Sequence, residues 1–164
     1  MKRNIVKILG AIVLSLFLVI AFGGCKGIGG FSGGPTIIGY WASSYGDGFE
    51  IKSESGDFMY YQYDDLAKTV SFAGEIVGEM DYYAESSYIT ILITETGTWA
   101  KDVDEYYRVH YKSLAGDDTV QQSSAYNTGS DADVNDGVPT QEGAETEFTI
   151  GNGYFTYYGT YEKQ

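Results

Sequence analysis

Residues 69–80 alternate strictly: Val70, Phe72, Gly74, Ile76, Gly78 and Met80 fall on one side, and Thr69, Ser71, Ala73, Glu75, Val77 and Glu79 on the other. A period of two is that of a half-buried β-strand, because successive side chains point to opposite faces. No stretch from Thr36 onward carries a helical stripe to compete with it. The texture is Tyr, Thr, Ile, Val and Phe in short runs, cut by Gly, Asp, Asn and Ser, which is strand composition with turn punctuation.

Further strands are predicted at Ile37–Ser43, Phe49–Ser53 and Phe58–Tyr63, joined by hairpin-sized turns at 45–48 and 55–57. In Tyr88–Thr94, Ile89, Ile91 and Ile93 oppose Tyr88, Thr90 and Leu92, so both faces of that strand can be covered. Tyr106–Lys112 sets Tyr107, Val109 and Tyr111 against Tyr106, Arg108, His110 and Lys112, and Thr119–Tyr126 follows a short turn. Asn127–Gln141 is polar and acidic and reads as a mobile excursion. Thr146–Ile150 and Tyr154–Tyr161 flank Gly151-Asn152-Gly153, whose Asn-Gly step suits a tight hairpin. About eight to nine strands joined by short turns predict an all-β fold: an antiparallel up-and-down meander closed into a barrel, with a two-sheet β-sandwich as the alternative. Two glycines on the apolar face of 69–80 would let that strand bend over a core.

The amino terminus has a different character. Lys2, Arg3 and Lys7 precede an apolar run from Ile8 to Phe22 with no acidic residue, the order of an export signal. At about 15 residues the run is shorter than the roughly 20 of a permanent spanning helix. Phe22-Gly23-Gly24-Cys25 then places two minimal side chains before the only cysteine of the chain. These residues resemble the lipobox of bacterial lipoproteins, although Phe22 stands where that family usually has Leu. The resemblance implies cleavage before Cys25, a diacylglyceryl thioether on its sulfur, and attachment to a membrane of the cell envelope on the extracytoplasmic side. Two or three acyl chains hold firmly where one holds marginally, at about 0.8 kcal/mol per buried CH₂. The alternatives are a retained anchor helix and a buried core thiol. The expected organisation is a signal peptide over 1–24, a lipidated cysteine with a Gly-rich tether over 25–35, and one β domain over 36–164. Such a tether spans on the order of 17 Å.

With a single cysteine no internal disulfide can form. Loss of the leader would leave seven basic residues against 23 acidic ones, near −16. A field of that sign repels phosphate backbones and anionic lipid, so no nucleic-acid partner is expected and acyl chains must supply membrane attachment. The acidity also serves as a solvated surface that keeps the protein soluble.

Gly39-Tyr40-Trp41 resembles the Gly-x-Trp that opens lipocalin-like barrels. The resemblance implies an internal cavity, with Trp41 plugging one end and a basic residue near the last strand packed over it; the chain offers Lys163 there.

Motifs for metal-assisted hydrolysis or phosphate chemistry are missing: there is no His-Glu-x-x-His, phosphate loop or Cys-His pair, and the single Gly-x-Ser-x-Gly, at 30–34, lies in the Gly-rich stretch read as a tether. A non-catalytic role without a cofactor is therefore expected, either binding of a small apolar or amphipathic ligand or service as a surface module that meets a protein partner. Arg108, His110 and Lys112 share one side of a strand. Pointing inward they would meet an anionic or polar ligand; pointing outward, the favoured reading for long cations, they would pair with acids. Trp41, Arg108 and His110 are thus candidate ligand-binding residues. Asp131, Asp133, Asn135 and Glu142 fall at positions 1, 3, 5 and 12 of a loop resembling the EF-hand calcium loop, with Val138 at the aliphatic position. Asp136 replaces the turn glycine of that pattern, so the loop reads first as an acidic excursion, with calcium as the alternative. The 16 tyrosines with Trp41 and Trp99 suit either core packing or a recognition surface.

Overall fold

In the computed structural model, which describes residues 35–98, 101–116, 118–130 and 132–164 apart from the side chains of Ala132 and Asp133, eight antiparallel strands form a closed barrel. They are β1 (Gly39–Ser43), β2 (Gly48–Glu54), β3 (Asp57–Tyr63), β4 (Val70–Val77), β5 (Ser87–Thr96), β6 (Tyr106–Ala115), β7 (Thr119–Ser124) and β8 (Gly159–Lys163). Two short helices, α1 (Ala132–Asp136) and α2 (Gln141–Glu147), lie between β7 and β8. Each strand pairs with its sequence neighbours, and β8 closes the ring by pairing Trp41 with Lys163, Ala42 with Glu162 and Ser43 with Tyr161 of β1. Closure removes the exposed edges that an open sheet would present. This is a lipocalin-like up-and-down barrel, and the sandwich alternative falls. Residues 1–34, with the expected signal peptide and Cys25, lie outside the described residues, as do Trp99 and Asp131.

Local sequence explains the turns. Ser55 (φ 54°) and Gly56 (φ 108°) occupy the two central positions of the β2–β3 hairpin, both left-handed, as a two-residue loop matched to strand twist requires. At Gly74 the β4–β5 register shifts, and a Cβ there would fall 2.2 Å from the Leu92 carbonyl oxygen, so only glycine lets the strands approach at this bend. The alternation of 69–80 runs on to Met80, but β4 stops at Val77 because Gly78 turns to φ +80°. Met80 still packs against the core.

The interior is filled largely by rings. Trp41, Phe49, Tyr60 and Phe72, one from each of β1 to β4, follow one another with centroids 6.2, 6.0 and 5.8 Å apart, and Tyr107 of β6 meets Phe72 edge-on at 5.5 Å. Each such pair contributes about 0.5 to 1.5 kcal/mol beyond its buried area. One end of the barrel is plugged. The chain entering β1 bonds to the β4–β5 loop through Ile37 N–H to Tyr82 O (3.0 Å), and Trp41 Nε1 donates to Ile37 O (2.8 Å). Lys163 Nζ stands 5.3 Å from the centre of the Trp41 ring, the basic residue over the tryptophan that the family resemblance implied.

The segment between β7 and β8 differs from the expectation. Thr146–Ile150 is not a ninth strand, and Gly151-Asn152-Gly153 is not a hairpin turn. Residues 141–147 form α2 instead, capped at its start by the Thr140 hydroxyl, which accepts from Gly143 N–H (3.0 Å). At its end Asn152 Nδ2 donates to the carbonyls of Thr146 (3.0 Å) and Glu147 (2.8 Å). Ala144 and Phe148, four apart, bury one face. The expected excursion over 127–141 is also tied down: Val138 exchanges both backbone bonds with Tyr106 at 2.7 and 3.0 Å. The segment packs as a strap over β5 and β6, which is why Thr90 and Tyr88, on the outer face, are covered.

Candidate functional site

Opposite the Trp41 plug, the β1–β2 loop, the end of β3, the start of β4, the end of β7 and the start of β8 line a cavity of about 350 Å³. Its floor is a polar layer laid over the aromatic core. Gln62 and Gln122 occupy inward positions at the ends of their strands, where Tyr60 O–H donates to Gln62 Oε1 (2.6 Å) and Gln122 Nε2 donates to Tyr60 Oη (3.1 Å). Gln62 Nε2 completes the layer by donating to Gly48 O (3.0 Å). Burial, aided by neighbouring tyrosines and Asp47, holds the Tyr60 phenol far above its ordinary pKa, so it stays a neutral donor.

Two carboxylates stand on the wall. Asp47 accepts from Tyr161 O–H (2.9 Å) and from the Ser43 hydroxyl, and Asp64 accepts from the hydroxyls of Ser71 and Thr98. Neither has an ion-pair partner among the described residues. Burial and then Asp47 raise the Tyr161 phenol above its usual range, so it stays a protonated donor. Tyr126 and Tyr157 line the entrance and are 50% and 73% exposed. Tyr45, 95% exposed, and Leu66, 70% exposed, lie on neighbouring loops of the same end.

Comparison of the chain with protein-family models, with curated proteins and with solved structures returns no match. The site must be read from its own chemistry.

The sequence-predicted residues are elsewhere. Trp41 is fully buried in the plug at the far end and does not line the open-end cavity. Arg108 and His110 face outward, away from the interior side of β6 formed by Tyr107, Val109 and Tyr111, so they offer nothing to a ligand inside the barrel. They hold the strap. Arg108 Nη1 donates to the carbonyls of Glu145 (3.1 Å) and Phe148 (3.3 Å) at the end of α2, with its guanidinium 4.2 Å from the Tyr88 ring centre. His110 is 5% exposed, with Nδ1 2.8 Å from the Tyr158 hydroxyl and Nε2 3.3 Å from that of Ser86. Burial first, then Lys112 and Arg108, push its pKa down to about 4.

The calcium alternative meets a geometric obstacle. Asn135 is buried, and its Oδ1 accepts from Asn127 N–H (2.9 Å) while its Nδ2 donates to Asn127 O (3.1 Å). Glu142 is exposed in the first turn of α2. The side chains of Asp131 and Asp133 lie outside the described residues. No group of three or more metal-ligating side chains occurs among the described residues.

Sequence reasoning missed Asp47, Gln62, Asp64 and Gln122. A signal for two of them was present: Phe58, Tyr60, Gln62 and Val120, Gln122, Ser124 continue the inward alternation into amides, and a polar side chain on the apolar face at a strand end marks where a barrel interior meets water.

Proposed function

We propose that this chain is a lipid-anchored, extracytoplasmic β-barrel lipoprotein that binds a small amphipathic ligand without chemical turnover. The binding half rests on the open-end cavity. Its volume is at the lower end of the roughly 300 to 1,000 Å³ range of small-molecule sites, and a polar floor beneath aromatic walls suits a ligand with both characters. The anchoring half rests on residues 1–25 alone, where basic start, apolar run, small residues and cysteine occur in the order export and lipidation need. No helix among the described residues is long and apolar enough to cross a membrane. A second reading, a surface module that docks a protein, draws support from the packed interior below the cavity and the exposed Tyr45 and Leu66.

Native mass spectrometry of the protein purified from membranes tests both halves. We expect a mass beginning at an acylated Cys25 and a co-purifying small molecule released on activation. A Cys25→Ser variant that matures to the same size and still sediments with membranes would defeat the anchor; a ligand-free spectrum from protein saturated with membrane extract would favour the surface module.

A further inference from the structure

The charge distribution of the cavity narrows the ligand class, on the footing that the cavity is a ligand site. Among the described residues no lysine, arginine or histidine lines it, whereas Asp47 and Asp64 do. Among the described residues the side chains bonded to these carboxylates are hydroxyls, from Ser43, Tyr161, Ser71 and Thr98, which orient the oxygens without neutralising them. Around them stand the phenol rings of Tyr126, Tyr157 and Tyr161.

The rest of the molecule shows how this chain treats positive charge. The described region holds six lysine and arginine side chains, Lys52, Lys68, Lys101, Arg108, Lys112 and Lys163, and every one lies over a tyrosine or tryptophan ring. Three of them also meet a carboxylate: Lys52 with Glu54 (2.9 Å), Lys68 with Glu50 (3.2 Å) and Lys101 with Asp136 (3.6 Å). A ring, in three cases with a carboxylate beside it, is thus the standing environment of a cation in this fold, since the negative ring face attracts it and a carboxylate adds to the attraction. The open-end cavity presents both groups, and Lys68, which reaches the Tyr63 ring at 5.4 Å, is drawn instead to Glu50 and Tyr40.

We infer that the open-end cavity takes an organic cation: an amine or quaternary ammonium carrying an apolar or aromatic body. The charged nitrogen sits against Asp47 and Asp64, the body lies between the tyrosines, and the amides of Gln62 and Gln122 serve any hydroxyl it carries. A fatty acid or other amphipathic anion is excluded by the same two carboxylates and by the net charge of −13 on the full chain, which repels it at a distance.

A set of probes matched in shape tests the charge: 4-phenylbutylamine, 4-phenylbutanol and 4-phenylbutyrate, titrated calorimetrically into the acylated protein purified from membranes and held in nanodiscs, with empty nanodiscs subtracted. The amine should bind roughly tenfold or more tighter than the alcohol, with the carboxylate weakest. Asp47→Asn and Asp64→Asn, each checked for folding by near-UV circular dichroism, should weaken the amine by roughly tenfold and leave the alcohol within about twofold. Either variant alone decides if the other does not fold. Glu79→Gln, exposed at the plugged end, removes one charge from the general field and should leave the amine unchanged. Alcohol or carboxylate binding as tightly as the amine overturns the cation assignment while the cavity stands. Equal weakening by Glu79→Gln also overturns it, since it reduces the effect to the overall field. If none of the three probes binds, the cavity reading falls too.

Discussion

His110 is the single histidine of the chain, and its ring is committed on both nitrogens beneath the strap, flanked by Lys112 and Arg108 and packed on Tyr88 and Phe155. Because its folded pKa is about 4 against an ordinary value of about 6.5, the unfolded chain binds the extra proton throughout that window. Stability from this group is therefore present above pH about 6.5 and is lost as pH falls toward 4, on the order of 1 to 2 kcal/mol after allowance for solvent screening. Urea midpoints measured across that range should fall more steeply for the wild type than for His110→Gln, and parallel curves would show that the ring does not carry the effect. Its direction was legible in the sequence, since long cations beside it favour the outward face, but its burial was not. Period two places His110 opposite Tyr107, Val109 and Tyr111, and only the strap, arriving from about 40 residues away, turns the outer face into a buried one.

Among the elements, the strands read well because each repeats its own instruction. Alternation, β-branched and aromatic side chains and turn residues all agree in β2 to β6, so the boundaries fall within a few residues of the pattern. Helix α2 reads badly. It spans seven residues, too short to be stable alone, and its Thr149-Ile150 flank favours extended chain. Its order comes from tertiary contacts: Ala144 and Phe148 against the barrel, Arg108 and Asn152 on its last carbonyls, and the Thr140 cap at its start. Replacing Thr140 with Ala should cost about 1 kcal/mol in a denaturant titration, since the Gly143 N–H loses its side-chain acceptor, with the barrel otherwise unchanged by circular dichroism. A stability equal to wild type would mean that packing alone sets the helix.

The whole molecule is an aromatic barrel inside an acidic surface, and the two features make alkali its weak side. Tyr60, Tyr107, Tyr111 and Tyr161 are all held above the ordinary phenol pKa, chiefly by burial. Their protonated form is fully stabilising below pH about 10, and that stability drains away as rising pH ionises the same groups in the unfolded chain. Lys101 acts in the opposite sense. Buried against Tyr107 and Asp136, with its pKa down to about 8, it gains stability as pH rises from 8 toward the ordinary lysine value, one group against four. Phenolate absorbance from the four rings should therefore appear only together with loss of the far-UV signal above pH about 10. Phenolates forming in a folded barrel would contradict their burial. The sequence by itself determined the all-β class, the meander, most of the hairpins and Trp41 with Lys163 at one end, because these follow from side-chain period, turn chemistry and a short motif. Tertiary structure decided that 141–147 forms a helix in a strap and not a ninth strand, the burial of His110 beneath that strap, and the cavity of Asp47, Asp64, Gln62 and Gln122. Those features depend on which face closes inward and on residues far apart in the chain being brought to one rim, and a one-dimensional pattern encodes neither.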